Sequence, residues 1–322
     1  MGIFMNIIRM SGGLGNQLFQ YALSMKLCSL GKEVKFDDIN EYRKEGASPI
    51  MLSAFGIEYK RASWEEIIAF TDGSMKLTKR IRRKLFGRRA VEYEESGGYD
   101  EQVLTFDSMY LKGAFQSEKY FKDIEDEVRK AYTFPALEDM HLPEKLYKVT
   151  RGCLNQIEST EAVSIHMFRS DSRPDEEVYE GICTEKYYEG AVRYIQEKCK
   201  NGVFYIFSNE PKWVRGWVDH LIESQINEDM SEAEIEEMRS KFVMVEAHTE
   251  YTGYLDMLLM TKCRHNIIAN SSFSWWGSWL NDNPDKLVIA PDKWKNGMEN
   301  NDIYTSGMVL VNAKGRVIRT VK

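Results

Sequence analysis

The chain has 322 residues, 43% hydrophobic and 29% charged with only seven prolines, the composition of a globular protein long enough for two domains at roughly 100 to 200 residues each. Its formal net charge of -7 and pI near 5.5 argue against a general nucleic-acid binder, because such proteins carry a basic footprint. No stretch approaches the roughly 20 apolar residues that cross a bilayer, and no signal-peptide pattern is present, so the expected location is the cytoplasm or the inner face of its membrane.

The amino end reads as a strand over 5–10 (MNIIRM), a glycine loop over 11–17 (SGGLGNQ), an amphipathic helix over 18–29 and a strand over 33–36. This is a βαβ unit whose loop permits close backbone approach. A dinucleotide fingerprint needs GxGxxG, and Leu18 stands where the third glycine after Gly13 and Gly15 would be, so NAD and FAD are not the expected ligands. Asn16 and Gln17 place two amides at the mouth of the crevice, as N-cap chemistry or as ligand contacts. Residues 40–105 are less periodic, mostly helical or irregular. Within them KLTKRIRRKLFGRR (76–89) is a dense basic run. It reads first as a solvated helix face or a loop, and second as a contact for an anionic acceptor, lipid headgroups (a peripheral membrane contact) or a polyanion. Order resumes at 110–121 (YLKGAFQSEKYF) with a short strand, a turn at Gly113 and an aromatic helix capped by Ser117.

From 135 to 153 the sequence reads as a proline-bearing connection with a linker helix, which divides the chain into domains 1–150 and 151–322. Beyond it strands are expected at 162–168, 203–208, 242–247, 266–269 and 286–290, and helices at about 185–199, 211–222, 231–240, 251–263 and 273–281. Such alternation implies an α/β fold with a parallel sheet and helices on both faces. The segment HNIIANSSFSWWGSWLN (265–281) is its focus: an apolar strand, a turn of small donors, then a tryptophan-rich helix start. A helix N-terminus at the carboxyl end of a strand favours phosphate, and Ser271 and Ser272 sit where a diphosphate would want donors, although serines are also ordinary N-caps. The carboxyl ends of the other strands carry His166 to Asp171, Ser208 to Glu210, and His248 with Glu250, while Asn270 precedes the two serines. Asp256, sixteen residues ahead of Ser272, is a candidate for the guanine N1–H and 2-amino edge because an ionised carboxylate only accepts. The five cysteines, Cys28, Cys153, Cys183, Cys199 and Cys263, include no CxxC pair, and the five histidines show no HExxH spacing. Neither a disulfide frame nor a metal site is expected.

Five blocks, SGGLGNQLFQYA (11–22), YLKGAFQSEKYF (110–121), SIHMFRSD (164–171), YIFSNEPKWV (205–214) and IIANSSFSWWGSWL (267–280), resemble in order and spacing the signature blocks of bacterial α-1,2-fucosyltransferases, glycosyltransferase family 11. The resemblance covers essentially the whole chain. It implies a GT-B fold, two Rossmann-like domains facing across a cleft, an amino-terminal acceptor-side domain and a carboxy-terminal nucleotide-sugar domain. It also implies inverting, metal-independent transfer of L-fucose from the donor substrate GDP-fucose to the 2-hydroxyl of a galactose-containing glycan, with no bound cofactor. Carried over, His166 is expected at the diphosphate, Arg169 and Asp171 close the same block, and Asp256 reads guanine. Ser271 and Ser272 contact the nucleotide, and Gly13, Gly15 and Asn16 are the amino domain's contribution to donor binding; Ser208 and Asn270 are added as donor-binding candidates by their place at strand ends.

The chain departs from the family pattern at Phe168, where the first arginine of the H-x-R-R-x-D block is expected to stabilise the departing β-phosphate. Arg169, Arg173, Lys212 and Lys262 are the available stand-ins, and Asn209 with Glu210 replaces an acidic pair. The base is open, with Asp37 or Asp38 among the possibilities. Two alternatives follow: a catalytically weak GDP-sugar-binding relative, or a glycosyltransferase for another GDP-deoxyhexose.

Overall fold

A computed structural model describes residues 5–44, 46–168, 176–246, 248–297 and 301–322. It divides into two compact units, Met1–Thr133 and Phe134–Lys322.

The first unit contains β1 (Asn6–Arg9), α1 (Leu14–Ser29), β2 (Val34–Asp37), α2 (Trp64–Thr71), α3 (Leu77–Phe86), β3 (Glu92–Glu94), β4 (Tyr110–Lys112) and α4 (Glu125–Ala131). Its sheet is parallel throughout, in the order β2-β1-β4-β3. The core gathers the apolar residues of β1 and β4 with the inner stripe of α1, including Ile7, Ile8, Leu18, Phe19, Leu23 and Leu111, all fully buried. Helix α1 starts four residues earlier than its periodicity suggests. Gly13 is its N-cap in extended conformation, and the carbonyl of Gly13 receives the N–H groups of Asn16 and Gln17 at 3.0 and 3.1 Å. Gly15 and Asn16 are therefore in the first helical turn and not in the loop. Strand β3 also escaped the sequence reading: three residues, EYE, at a sheet edge have too little apolar alternation to register, and Lys112 secures Glu92 at 2.6 Å across the pair.

The second unit contains α5 (Glu144–Glu158), β5 (Glu161–Met167), α6 (Glu176–Tyr179), α7 (Glu185–Lys198), β6 (Gly202–Ser208), α8 (Pro211–Glu223), α9 (Glu232–Ser240), β7 (Phe242–Val245), α10 (Tyr254–Lys262), β8 (His265–Ile267), α11 (Ser272–Trp279), β9 (Val288–Pro291), β10 (Val309–Val311) and β11 (Val317–Thr320). The sheet order is β11-β10-β9-β8-β5-β6-β7, parallel except for the β10–β11 hairpin, which the sequence reading did not anticipate. Both faces are covered, as a parallel sheet requires. Val163, Ile165, Phe204 and Ile206 pack with α7 and α8 on one side, while Ala162, Tyr205 and Phe207 pack with α5 and α10 on the other. Helix α5 is thus not a linker: it carries position 150, and its Leu154 and Ile157 are core residues against Leu259. Among the described residues no helix is long and apolar enough to cross a membrane.

Candidate active site

Strand order in the second unit reverses beside β5, with β6 and β7 on one side and β8 and β9 on the other. That reversal opens a crevice at the carboxyl ends of β5 and β8, the position where open parallel sheets bind ligands. His166 comes from the end of β5. From β8 the chain passes through Ala269, Asn270 and Ser271 into α11.

His166 is buried and held in one orientation. Its Nδ1 lies 2.9 Å from Ser274 Oγ, which also receives the Ala269 N–H at 3.3 Å, so the Ser274 hydroxyl governs the tautomer of the ring. Phe168 stacks on the imidazole at 5.9 Å and 27°, and Phe273 meets it at 5.6 Å. The strand period puts Phe168 on the same side as His166, and the ring contact shows that this holds beyond the end of β5.

Several candidates reach the same edge but spend their side chains on the fold. Ser271 is the N-cap of α11, accepting the Phe273 N–H at 3.4 Å. Asn270 donates to the Trp294 carbonyl and accepts the Cys183 thiol, each at 3.3 Å. Burial pushes that thiol up to about 12. Ser208 accepts the Glu210 N–H at 3.0 Å and shapes the turn into α8. Ser272 opens α11, whose N-terminus faces the crevice and brings the positive end of its dipole there. Behind it Trp275, Trp276 and Trp279 pack edge to face or stacked within 6.1 Å of one another, fully or nearly buried, and fix the helix direction.

Asp256 sits in the first turn of α10, and its Oδ1 meets His248 Nδ1 in a short contact. The other ring nitrogen of His248 lies 2.9 Å from Thr150 Oγ1 on α5, which also donates to the Leu146 carbonyl at 2.9 Å. The carboxylate is therefore braced from behind, through His248, against α5. Burial pushes its pKa up, and the His248 hydrogen bond opposes the rise. Helices α10 and α11 both start at the carboxyl edge of the sheet and pack closely: a Cβ at Gly277 would come within 3.0 Å of Met260. Asp256 and Ser272 thus occupy adjacent first turns, roughly 8–10 Å apart between axes. Lys262 ends α10 at the opposite edge, beside the start of β8, and does not serve as a cation here. Arg169, Asp171 and Arg173 lie outside the described residues.

In the first unit, β1 and β4 are neighbours, so the blocks at 11–22 and 110–121 meet at their carboxyl ends. Gly12 takes φ +75°, and a Cβ there would strike Asn16 Nδ2 at 2.5 Å. Asn16 Oδ1 accepts from Gln116 Nε2 at 2.8 Å, joining the two blocks. Gln17 is consumed by the turn: Nε2 donates to the carbonyls of Gly12 and Pro49 at 3.0 and 2.9 Å, and Oε1 accepts the Met51 N–H at 2.9 Å. Phe115 has φ +53°, an uncommon value for a bulky residue, and Glu95 holds that turn by accepting the N–H groups of Ala114 and Phe115 at 2.8 and 2.9 Å.

The two proposed bases fare poorly. Asp37 is fully buried and accepts from the backbone of Ile39 and Asn40, the Asn40 amide and the Tyr110 hydroxyl. Asp38 is shared by Tyr59 and Arg61, each at 2.9 Å. Sequence reasoning missed Ser274, Thr150 and Glu95. Only Ser274 left a signal, three residues into a helix whose N-cap was already identified.

Residues 4–311 match the family model described as Glycosyl transferase family 11. The chain belongs to that family. Similar curated proteins include an alpha-1,2-colitosyltransferase of Escherichia coli, 27% identical over 89% of this chain and 91% of the relative, and the O-antigen biosynthesis glycosyltransferase WbnK of the same species, 28% identical over 88% and 93%. Similar solved structures include a mutant of Arabidopsis thaliana FUT1 in complex with GDP, with TM-score 0.48, 11% identity and coverage of 91% and 72%. Another is NodZ alpha-1,6-fucosyltransferase soaked with GDP-fucose, with TM-score 0.43, 11% identity and coverage of 86% and 92%. The segments 11–22, 110–121, 205–214 and 267–280 lie at the carboxyl ends of strands in the two sheets.

Proposed function

We propose that this family 11 glycosyltransferase transfers L-fucose from GDP-β-L-fucose to the 2-hydroxyl of a galactoside, with inversion and without a metal. The observation that carries the reading is the meeting, at one sheet edge, of pinned His166, the N-terminus of α11 and the braced Asp256. Neighbouring first turns separate a diphosphate-binding helix from a purine-reading carboxylate by the spacing of two packed helices, which is of the order a nucleoside diphosphate spans. On this reading α11 and His166 take the diphosphate, and Asp256 accepts from guanine N1–H and the 2-amino group. The first unit is the acceptor side, and its Gly13, Gly15 and Asn16 contribute to donor binding. The acceptor's oxygen bonds to the anomeric carbon as the bond from that carbon to the β-phosphate oxygen breaks, GDP leaves with the electron pair, and the hydroxyl proton passes late to solvent water.

A second reading, a different GDP-deoxyhexose as donor, is favoured by Phe168, whose ring lies beside His166, and by the colitosyltransferase among the relatives. Purified protein offered GDP-fucose and GDP-colitose with a panel of galactosides separates the two. The expected result is GDP release from GDP-fucose with an α-linked 2-O-product, unchanged by a chelator. Preference for GDP-colitose replaces the first reading with the second. GDP binding in calorimetry with no turnover on any galactoside identifies a weak relative and overturns both.

A further inference from the structure

Helix α3 is amphipathic in the inverted sense. Leu77, Ile81 and Leu85, at i, i+4 and i+8, form one stripe, and they are 70%, 50% and 69% exposed. The helix is held to the unit by its arginines: Arg82 on the Asp72 carboxylate, and Arg83 on the carbonyls of Asp72 and Ser74 at 2.8 and 2.7 Å. The apolar side therefore faces away from the protein, an arrangement that water disfavours and a covering surface would reverse. Arg80 and Lys84 flank the stripe, and among the described residues neither forms an ion pair. The run 76–89 carries eight Lys and Arg and no acid, in a chain of net charge -7.

We propose that α3 docks this protein on an anionic lipid bilayer, its apolar stripe in the headgroup boundary and its cations on the lipid phosphates. The charge decides the occupant. A second copy would meet this face by a two-fold axis, which sets the same cations against themselves. An anionic bilayer supplies both an apolar layer and the opposite charge. The proposal is independent of which sugar the enzyme transfers.

The test is co-sedimentation of the full chain with vesicles of phosphatidylcholine alone and of phosphatidylcholine with phosphatidylglycerol. Binding is expected only to the anionic vesicles, weakening with salt. The combined Leu77→Ser, Ile81→Ser and Leu85→Ser variant should lose at least about tenfold in partition, and Arg80→Gln with Lys84→Gln about thirtyfold. Melting temperatures should be unchanged, since all five side chains are exposed. Absence of binding to anionic vesicles overturns the proposal. So does binding that the serine variant retains, which would mark a charge-only surface that a soluble polyanion such as heparin would also occupy. A dimer in equilibrium sedimentation that the serine variant dissolves would assign the face to a second copy.

Discussion

Asp256→Asn tests the nucleotide reading at its most specific point. The side chain is about three-quarters buried, and His248 fixes one oxygen from behind. A carboxylate has lone pairs enough to keep that contact and still accept both guanine donors. Asparagine preserves the shape, and its carbonyl can keep the His248 partner, so the fold should survive. It replaces one acceptor with an amino group, losing a charge-assisted hydrogen bond of roughly 1.5–3 kcal/mol and setting donor against donor. A total near 3 kcal/mol corresponds to about 150-fold in GDP affinity. Adenine presents an acceptor at N1 and a donor at its 6-amino group, which suits an amide, so ADP affinity should hold or rise. Isothermal titration with GDP and ADP reads both. A GDP loss below about threefold, or equal losses for the two nucleotides, would refute the assignment of Asp256 to the base.

Because burial raises the Asp256 pKa and only the ionised form accepts both donors, GDP affinity should fall as pH drops through the raised value. The fall should begin above the range of an ordinary aspartate near 3.9, and Asp256→Asn should flatten it. Stability runs the other way: the raised value means folding favours the protonated carboxyl, so that contribution is present at low pH and lost as pH rises through the folded pKa, which denaturant titrations at stepped pH measure. Phe168→Arg should lower kcat/KM up to about tenfold by breaking the stack on His166. A rise of tenfold or more in steady-state assays would instead show that the site lacks the charge. Asp37→Ala should cost about 3–5 kcal/mol in unfolding midpoint experiments, because it orphans several buried donors at once; a loss under about 1 kcal/mol would mean they find other partners.

The alternation of the carboxy-terminal half was legible because fully buried parallel strands and amphipathic helices differ in period, and every strand expected there exists within a few residues. Short edge elements were not. Strand β3 has one apolar residue, and β11 is exposed along its whole length, so neither leaves a pattern. Candidate residues were found by their place at strand ends, which topology converts into proximity. What they do locally was hidden, since partners such as Thr150 for His248 or Glu95 for the Phe115 turn are far apart in sequence and carry no motif. The basic run was legible as charge, but not as a helix that turns two arginines inward and its leucines outward.

Many of the polar side chains in the signature blocks are engaged with the protein itself. Ser271 caps α11, Ser274 holds His166, Asn270 ties the turn to Trp294, and Gln17 anchors the glycine loop of the first unit. Gln17 spends both amide protons on the fold, whereas Ser271 accepts in its cap and keeps a hydroxyl proton to donate. On the proposed reading a diphosphate meets backbone and dipole at the start of α11, the Ser271 hydroxyl and the ring of His166, whose geometry these side chains enforce. The segment 271–279 divides that task between small hydroxyls and tryptophans. The hydroxyls set where the helix begins, and the buried indoles set where it points. A ligand reads the product of both, so substitutions at Ser271 or Trp275 should disturb nucleotide binding by moving the helix start, even though the Trp275 side chain need not touch the nucleotide.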